Sequence, residues 1–162
     1  MEWENNHTTL HLTNGDEFCF AKPGAGRKNS LLVDTVELFG PRYARGALLL
    51  RLCDPANTIM IHESVWLAEV GVPPLPRALL PDIILYQEQK QILFLIGIAT
   101  MSGTISMQRK QALEQQIVKT PLRRIYVSAF FDSEDYVYGA NRVAWRSYAW
   151  LAHEPDHLIV HW

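Results

Sequence analysis

The chain has 162 residues, 48% hydrophobic and 20% charged. That balance suits one globular domain with a sizeable core and excludes a disordered tail or low-complexity linker. Lys and Arg total 15 against 17 Asp and Glu, a formal charge of -2, so the chain lacks the basic footprint of a protein that holds DNA mainly by phosphate neutralisation. Any nucleic-acid contact must therefore be local.

Residues 8–12 and 17–20 alternate polar and apolar side chains around the turn Asn14-Gly15-Asp16, which predicts an edge β-hairpin. Residues 1–22 are expected to pack as that hairpin on a single domain spanning 1–162. After Lys22-Pro23-Gly24-Ala25-Gly26, Ser30 is placed to cap a helix whose Leu31, Leu32, Val36 and Phe39 share a face, with Gly40-Pro41 as its stop. Residues 47–53 read as a buried strand and 58–61 as a short one. Ser64 then caps a short helix through Val65, Trp66, Leu67 and Val70 that ends at Gly71.

Residues 82–86 and 91–98 are apolar runs joined by Gln87-Glu88-Gln89-Lys90, a hairpin in a sheet covered on both faces. Ser106 starts the longest helix, ending near Val118 before Thr120-Pro121. Residues 125–130 form another buried strand and 136–146 a weaker helix. Residues 148–152 and 158–162 are terminal strands around Glu154-Pro155-Asp156. The order predicts an α/β fold with a mixed sheet flanked by helices.

Cys19 and Cys53 lie far apart without a Cys-x-x-Cys pattern and read as buried free thiols. No apolar run reaches the length of a membrane span and residues 1–20 lack a secretory core, so the expectation is a cytoplasmic protein without membrane contact.

Four constellations bear on function. Gly24-Ala25-Gly26-Arg27-Lys28 could cradle a phosphate, but it lacks the Gly-Lys-Ser/Thr and the earlier Gly of a phosphate loop, which leaves a basic loop and no nucleotide. His153, His157 and His161 recur every four residues, but Pro155 removes the helical geometry that would make them metal ligands. Trp145, Trp150, Tyr136, Tyr138 and Tyr148, interleaved with Arg142 and Arg146, suit core packing better than base stacking. Pro81-Asp82 at the head of an apolar strand is the sharpest polar feature. A carboxylate on that rim can hold a divalent metal, or cap a turn, since the chemistry needs a second ligand.

The order of several segments resembles a known family. Leu80-Pro81-Asp82-Ile83-Ile84-Leu85-Tyr86, Leu93-Phe94-Leu95-Ile96 and Ser102-Gly103-Thr104-Ile105-Ser106-x-x-Arg109 are similar to the PDVVLY and WLFLIEAVTSHGPVSPKR segments of BsuBI/PstI-type restriction endonucleases. The likeness continues through residues 127–132 and 144–152 and closes on Glu154-Pro155-Asp156-His157-Leu158-Ile159, near the family's EPDHLIHF. Upstream, residues 37–47 resemble its EEFAPRFAPGA. The resemblance implies a PD-(D/E)XK nuclease fold, in which acidic side chains hold Mg²⁺ at a DNA phosphodiester. It also implies that Asp82 is the metal-binding carboxylate and that Asp54 matches an acidic position of a GDTG segment.

The departures fall on the site itself. Gly97 stands where the family pattern has the Glu of LIEAVTS, Gln108 where its Lys falls, and Ala112 at a position that often carries Glu; Asn29-Ser30 replaces an Asn-Glu pair. Lost carboxylates weaken binding of a hard cation through both charge and ligand count, so Mg²⁺ is expected to bind weakly or not at all. The resemblance thus implies a DNA-associated module with a degenerate metal site, a non-cleaving subunit of a defence or mobile-element complex acting with a protein partner or as a homo-oligomer. Relatives carry a helical N-terminal region for target recognition, so this chain by itself is expected to read little sequence. Its DNA contacts are assigned to Ser102, Arg109, Lys110, Arg123 and Arg124, with Arg142 and Arg146, as a positive groove beside Asp82. Two alternatives stand beside this reading. One is an active Mg²⁺-dependent endonuclease in which Glu63, Glu69 or Glu88 replaces the missing carboxylate; the other is an assembly subunit without DNA contact.

Overall fold

A computed structural model describes residues 10–13, 15–18, 27–55 and 59–162. Among the described residues nine strands form one mixed sheet: β1 (Leu10–His11), β2 (Glu17–Phe18), β3 (Leu48–Asp54), β4 (Ile59–His62), β5 (Ile83–Gln87), β6 (Ile92–Ile98), β7 (Arg123–Phe130), β8 (Ser147–Leu151) and β9 (Leu158–His161). Their order is β2-β1-β3-β5-β6-β7-β8-β9, with β4 pairing β3. The expected N-terminal hairpin is the antiparallel pair β1–β2 at the sheet edge, joined to β3 by His11 opposite Leu48. Cys19 and the loop through Gly26 lie outside the described residues.

Side chains along β5 and β6 alternate between two cores. Ile83, Leu85, Phe94 and Ile96 pack against Leu31, Leu32, Val36 and Phe39, with Phe39 edge-on to Phe94 and Trp150. Ile84, Leu93 and Leu95 face the other way, onto Leu67, Val70, Leu113 and Ile117. Covering both faces is what makes these strands read as unbroken apolar runs.

Helix α1 (Arg27–Asp34) begins before Ser30, so Ser30 is not its cap, and Gly40-Pro41 does not end it. The coil widens into a π turn over Thr35–Phe39, closed by the Gly40 N–H on the Thr35 carbonyl, and resumes over Gly40–Tyr43. The widened turn puts Pro41 at the start of the resumed helix, where a missing N–H costs nothing. Helix α2 (Ser64–Glu69) follows β4. Helix α3 (Met107–Gln116), with Ser106 Oγ accepting from the Arg109 N–H at 3.2 Å, crosses from β6 to the parallel strand β7. Helix α4 (Ser133–Gly139) starts earlier than 136 because the Asp132 carboxylate caps the Asp135 N–H at 2.9 Å. It tightens into a 3₁₀ turn over Ala140–Arg142.

Candidate site at the Asp82 rim

Asp82 sits one residue before β5, where its N–H donates to the Ile96 carbonyl at 3.0 Å and its carbonyl accepts from the Cys53 N–H at 3.1 Å. One step beyond the Ile83–Ile96 pair, it faces Gly97 on the neighbouring strand. Both residues look toward the α3 side of the sheet, opposite in sense to Ile83, Ile96 and Ile98.

The Asp82 side chain is committed inward. Its Oδ2 accepts from the Ile98 N–H at 2.7 Å, the Ser102 hydroxyl at 2.5 Å and the Ser102 N–H at 3.3 Å. Burial pushes its pKa up, and these hydrogen bonds and the Arg109 charge only partly pull it back.

Arg109 supplies the compensating charge. It is buried, and its guanidinium donates to the Leu80 carbonyl at 2.6 Å, Ser102 Oγ at 3.1 Å, the Gly103 carbonyl at 3.2 Å and the Thr104 carbonyl at 3.4 Å. Burial lowers its pKa while Asp82 raises it. The Ser102 hydroxyl thus bridges carboxylate and guanidinium in a charge-assisted chain, with the Arg109 Nε left without a partner among the described residues.

Gly97 leaves no vacancy. A Cβ built there would lie 2.5 Å from the Gly103 carbonyl oxygen, 3.1 Å from Ile105 Cδ1 and 3.3 Å from an Arg109 guanidinium nitrogen. The loop after β6 and the arginine have closed over the place where a longer side chain would stand.

Asp54, buried at the end of β3, lines the same cavity of about 560 Å³ as Asp82, together with Arg51, Cys53, Arg77 and Ser102. Arg51 is fixed there by Nε on the Pro81 carbonyl at 2.9 Å and by a contact of 2.9 Å to His62 Nδ1. A guanidinium has only donors, so that His62 nitrogen accepts and the ring is neutral; burial and Arg51 both hold its pKa down.

Glu63, Glu69 and Glu88 do not line this cavity. Glu88 begins the turn at the far end of β5, six residues from Asp82 or roughly 20 Å along a strand. Glu69 closes α2 beside a different cavity, and Glu63 sits at the N-cap position of α2 without a side-chain cap. Gln108 is exposed and Ala112 half-buried on α3, and neither lines the cavity. Among the described residues no three His, Cys, Asp or Glu side chains are grouped to hold a metal. Asp54 and Asp82 are two carboxylates on this cavity, Asp82 with one oxygen already accepting three hydrogen bonds and with the Arg109 guanidinium beside it; a Mg²⁺ ion held by one or two carboxylates takes its remaining oxygens from water and phosphate.

The other expected positions divide. Ser102 and Arg109 are beside Asp82. Lys110, Arg123, Arg124 and Arg146 are not: they line a separate cleft. Since β7 runs parallel to β6 with Arg123 opposite Ile92 and Ser128 opposite Gly97, Arg123 is five residues, or roughly 16 Å, from the Asp82 end. The expected single groove is therefore two places. Arg142 lines a third cavity, with Thr104, Phe131 and Tyr138, that meets the Asp82 cavity at Thr100. A variant lacking Arg109 cannot be expected to fold as well as the native chain, because the arginine is a buried hydrogen-bonding hub.

The histidine series does not converge. His161 Nε2 meets the Tyr136 hydroxyl at 2.9 Å and His153 packs on the Phe131 ring. The Glu154-Pro155-Asp156 segment is a structural tie: the Pro155 carbonyl accepts from Tyr43 Oη and Trp150 Nε1, both at 3.1 Å, and Asp156 pairs with Arg42 at 2.8 Å. The signal that sequence reading missed is spacing: Arg109, Leu113 and Ile117 recur every four residues, which puts Arg109 on the buried face of α3.

A mixed sheet carrying a carboxylate at the head of a central strand, with a helical crossover to parallel strands, defines a restriction-endonuclease-like fold. The structure of the SdaI restriction endonuclease superposes with a TM-score of 0.79 at 28% identity, covering 99% of this chain and 50% of that one. The model of the BsuBI/PstI restriction endonuclease domain matches residues 8–161, and the chain belongs to that family. The type II restriction enzyme BsuBI of Bacillus subtilis is 26% identical over 158 residues, 98% of this chain and 49% of that protein. The type II restriction enzyme AplI of Arthrospira platensis is 25% identical over 79 residues, 49% of this chain and 24% of that protein. This chain thus spans about half the length of BsuBI and SdaI. Among the described residues no helix is long and apolar enough to cross a membrane.

Proposed function

We propose that this chain is a DNA-associated restriction-endonuclease module whose metal site is degenerate, so that it binds DNA weakly and without cutting, as a subunit of a defence or mobile-element complex. The observation that carries this reading is the closure at Gly97, where the Gly103 carbonyl and the Arg109 guanidinium fill the space a second carboxylate would need. A carboxylate at that position would add an oxygen donor to hold the ion that activates water. Here the positive charge beside Asp82 is supplied by Arg109 instead. Family membership supports DNA as the ligand, and the exposed Arg77 at the Asp82 cavity, with Arg142 at the adjoining one, would give a phosphate backbone local cations without base readout. Exposed Val137 and Tyr138 on α4, with Trp145, offer the apolar surface expected of a chain that works with a protein partner or a second copy.

The rival reading, an active endonuclease, has one specific support: Asp54 shares the cavity with Asp82. Duplex DNA incubated with the chain in Mg²⁺ or Mn²⁺ separates the two. The proposal predicts binding at low salt with no cleavage, and cleavage lost together in Asp54→Asn and Asp82→Asn would establish the rival. Absence of duplex binding at low salt would favour an assembly subunit.

A further inference from the structure

We infer that a second cleft, at the end of the sheet opposite Asp82, binds a single-stranded nucleic-acid segment, its phosphates on Arg123 and Arg146 and an unpaired base against Trp162. The cleft holds about 300 Å³, at the lower end of the range for small-ligand sites and suited to one nucleotide rather than a duplex.

Its cations have different tasks. Arg124 is neutralised by Glu114 at 3.3 Å and tied to the Ile117 carbonyl at 2.8 Å. The Lys110 ammonium is a clamp, donating to the Trp145 carbonyl at 2.8 Å and the Arg146 carbonyl at 3.2 Å. Arg123 and Arg146 are exposed at the mouth and have no ion pair among the described residues. They are the two charges left for phosphate.

Arg146 closes the turn that enters β8. It has φ of +58°, a left-handed conformation that costs a non-glycine residue energy. It is held there by its N–H on the His161 carbonyl at 2.5 Å and by the Lys110 clamp.

The aromatic side is equally placed. Trp162 is 62% exposed and braced edge-on by Tyr148 with centroids 5.3 Å apart, leaving indole surface for a base. Deeper in, the Tyr126 hydroxyl is buried beside the Glu114 carboxylate. Burial and the nearby Glu114 carboxylate push its pKa well up, so it remains a donor. Stacking on exposed rings favours unpaired bases, since those of a duplex have no free face.

The site is independent of duplex contact at the Asp82 rim, and its test is separate. Binding of a labelled oligothymidylate to the full chain is measured by fluorescence anisotropy against salt, beside a duplex and heparin as a structureless polyanion. Arg123→Gln/Arg146→Gly removes both guanidinium groups, and glycine relieves the positive φ, so folding is kept; thermal melts confirm it. The single strand should bind more tightly than the duplex. The double variant should flatten the logarithmic salt slope by about 1.4, the value for two phosphate contacts to a single strand. Trp162→Leu should weaken the single strand about tenfold and leave heparin unchanged. Equal binding of single strand, duplex and heparin, or an unaltered single-strand affinity in Trp162→Leu, would overturn the inference and leave a plain basic patch. No single-strand binding at low salt would overturn it outright.

Discussion

Restoring the family's acidic residue, Gly97→Glu, should damage the fold without restoring a nuclease. The new Cβ would start 2.5 Å from the Gly103 carbonyl oxygen, and ordinary contact begins near 3.4 Å, so the loop after β6 must retreat by about 0.9 Å. That backbone carbonyl also receives an Arg109 hydrogen bond at 3.2 Å, so the retreat disturbs the network holding Asp82. Overpacking of this kind costs roughly 1–3 kcal/mol. For a chain of this size it should lower Tm by roughly 2–12 °C. Calorimetry or circular dichroism on the native chain, Gly97→Ala and Gly97→Glu gives the reading: both variants melt lower, Ala included, because the collision is already set by Cβ. Plasmid cleavage in Mg²⁺ is assayed on the same samples and should stay absent. A Gly97→Glu protein that melts at the native temperature and cuts DNA would refute the reasoning, since it would show an open metal site lacking only one carboxylate.

Three further outcomes follow from the same geometry. Arg109→Ala strands a buried carboxylate and leaves the Leu80 carbonyl unpaired, which should cost roughly 3–5 kcal/mol, read as a Tm fall of roughly 6–20 °C; a neutral result would mean the guanidinium is not the hub. Asp82 has its folded pKa raised, so its contribution to stability is complete below the unfolded value of about 3.9 and is lost as pH rises through the folded value. The Tm of Asp82→Asn relative to the native chain should therefore climb from acid toward neutral pH, and a fall would show that Arg109 and the hydrogen bonds outweigh burial. Phe39→Ala empties a fully buried contact with Phe94 and Trp150 and should cost roughly 3–5 kcal/mol in chemical denaturation.

Much of the frame was legible because local signals agreed with tertiary needs. The polar tetrad 87–90 separates two apolar runs too short for helices, so their pairing was legible; the register was not, because a turn over 87–90 would set Asp82 opposite Leu95, whereas Gln87 stays in β5 opposite Ile92 and the turn shifts to Glu88–Gln91, which brings Asp82 to Gly97. The cap at Ser106 was equally plain. The extent of α1 was hidden because a π turn over Thr35–Phe39 lets Pro41 re-enter a helix, and nothing in residue identity announces a widened turn. Asp132 as the cap of α4 was visible but overshadowed by the Tyr-rich stretch after it.

At the site, the missing carboxylate could be read directly, but not what had filled its place. Arg109 and Lys110 are neighbours on one helical turn, yet one is buried against Asp82 and the other clamps Arg146 at the opposite cleft. Side chains one residue apart diverge by about 100° on a helix, and here that divergence sends the two cations to different places. The placement of Arg123 and Arg124 was deducible from topology: a strand that follows a crossover helix and runs parallel to β6 begins where β6 begins, away from Gly97.

The most direct test of the degenerate site is nicking of supercoiled plasmid in Mg²⁺ and in Mn²⁺ by the native chain and by Asp82→Ala, side by side. The closed network around Asp82 predicts that neither protein converts supercoiled to open-circular or linear DNA above the protein-free background in either metal. Conversion by the native chain that disappears in Asp82→Ala would contradict it, because Asp82 would then be holding a working metal.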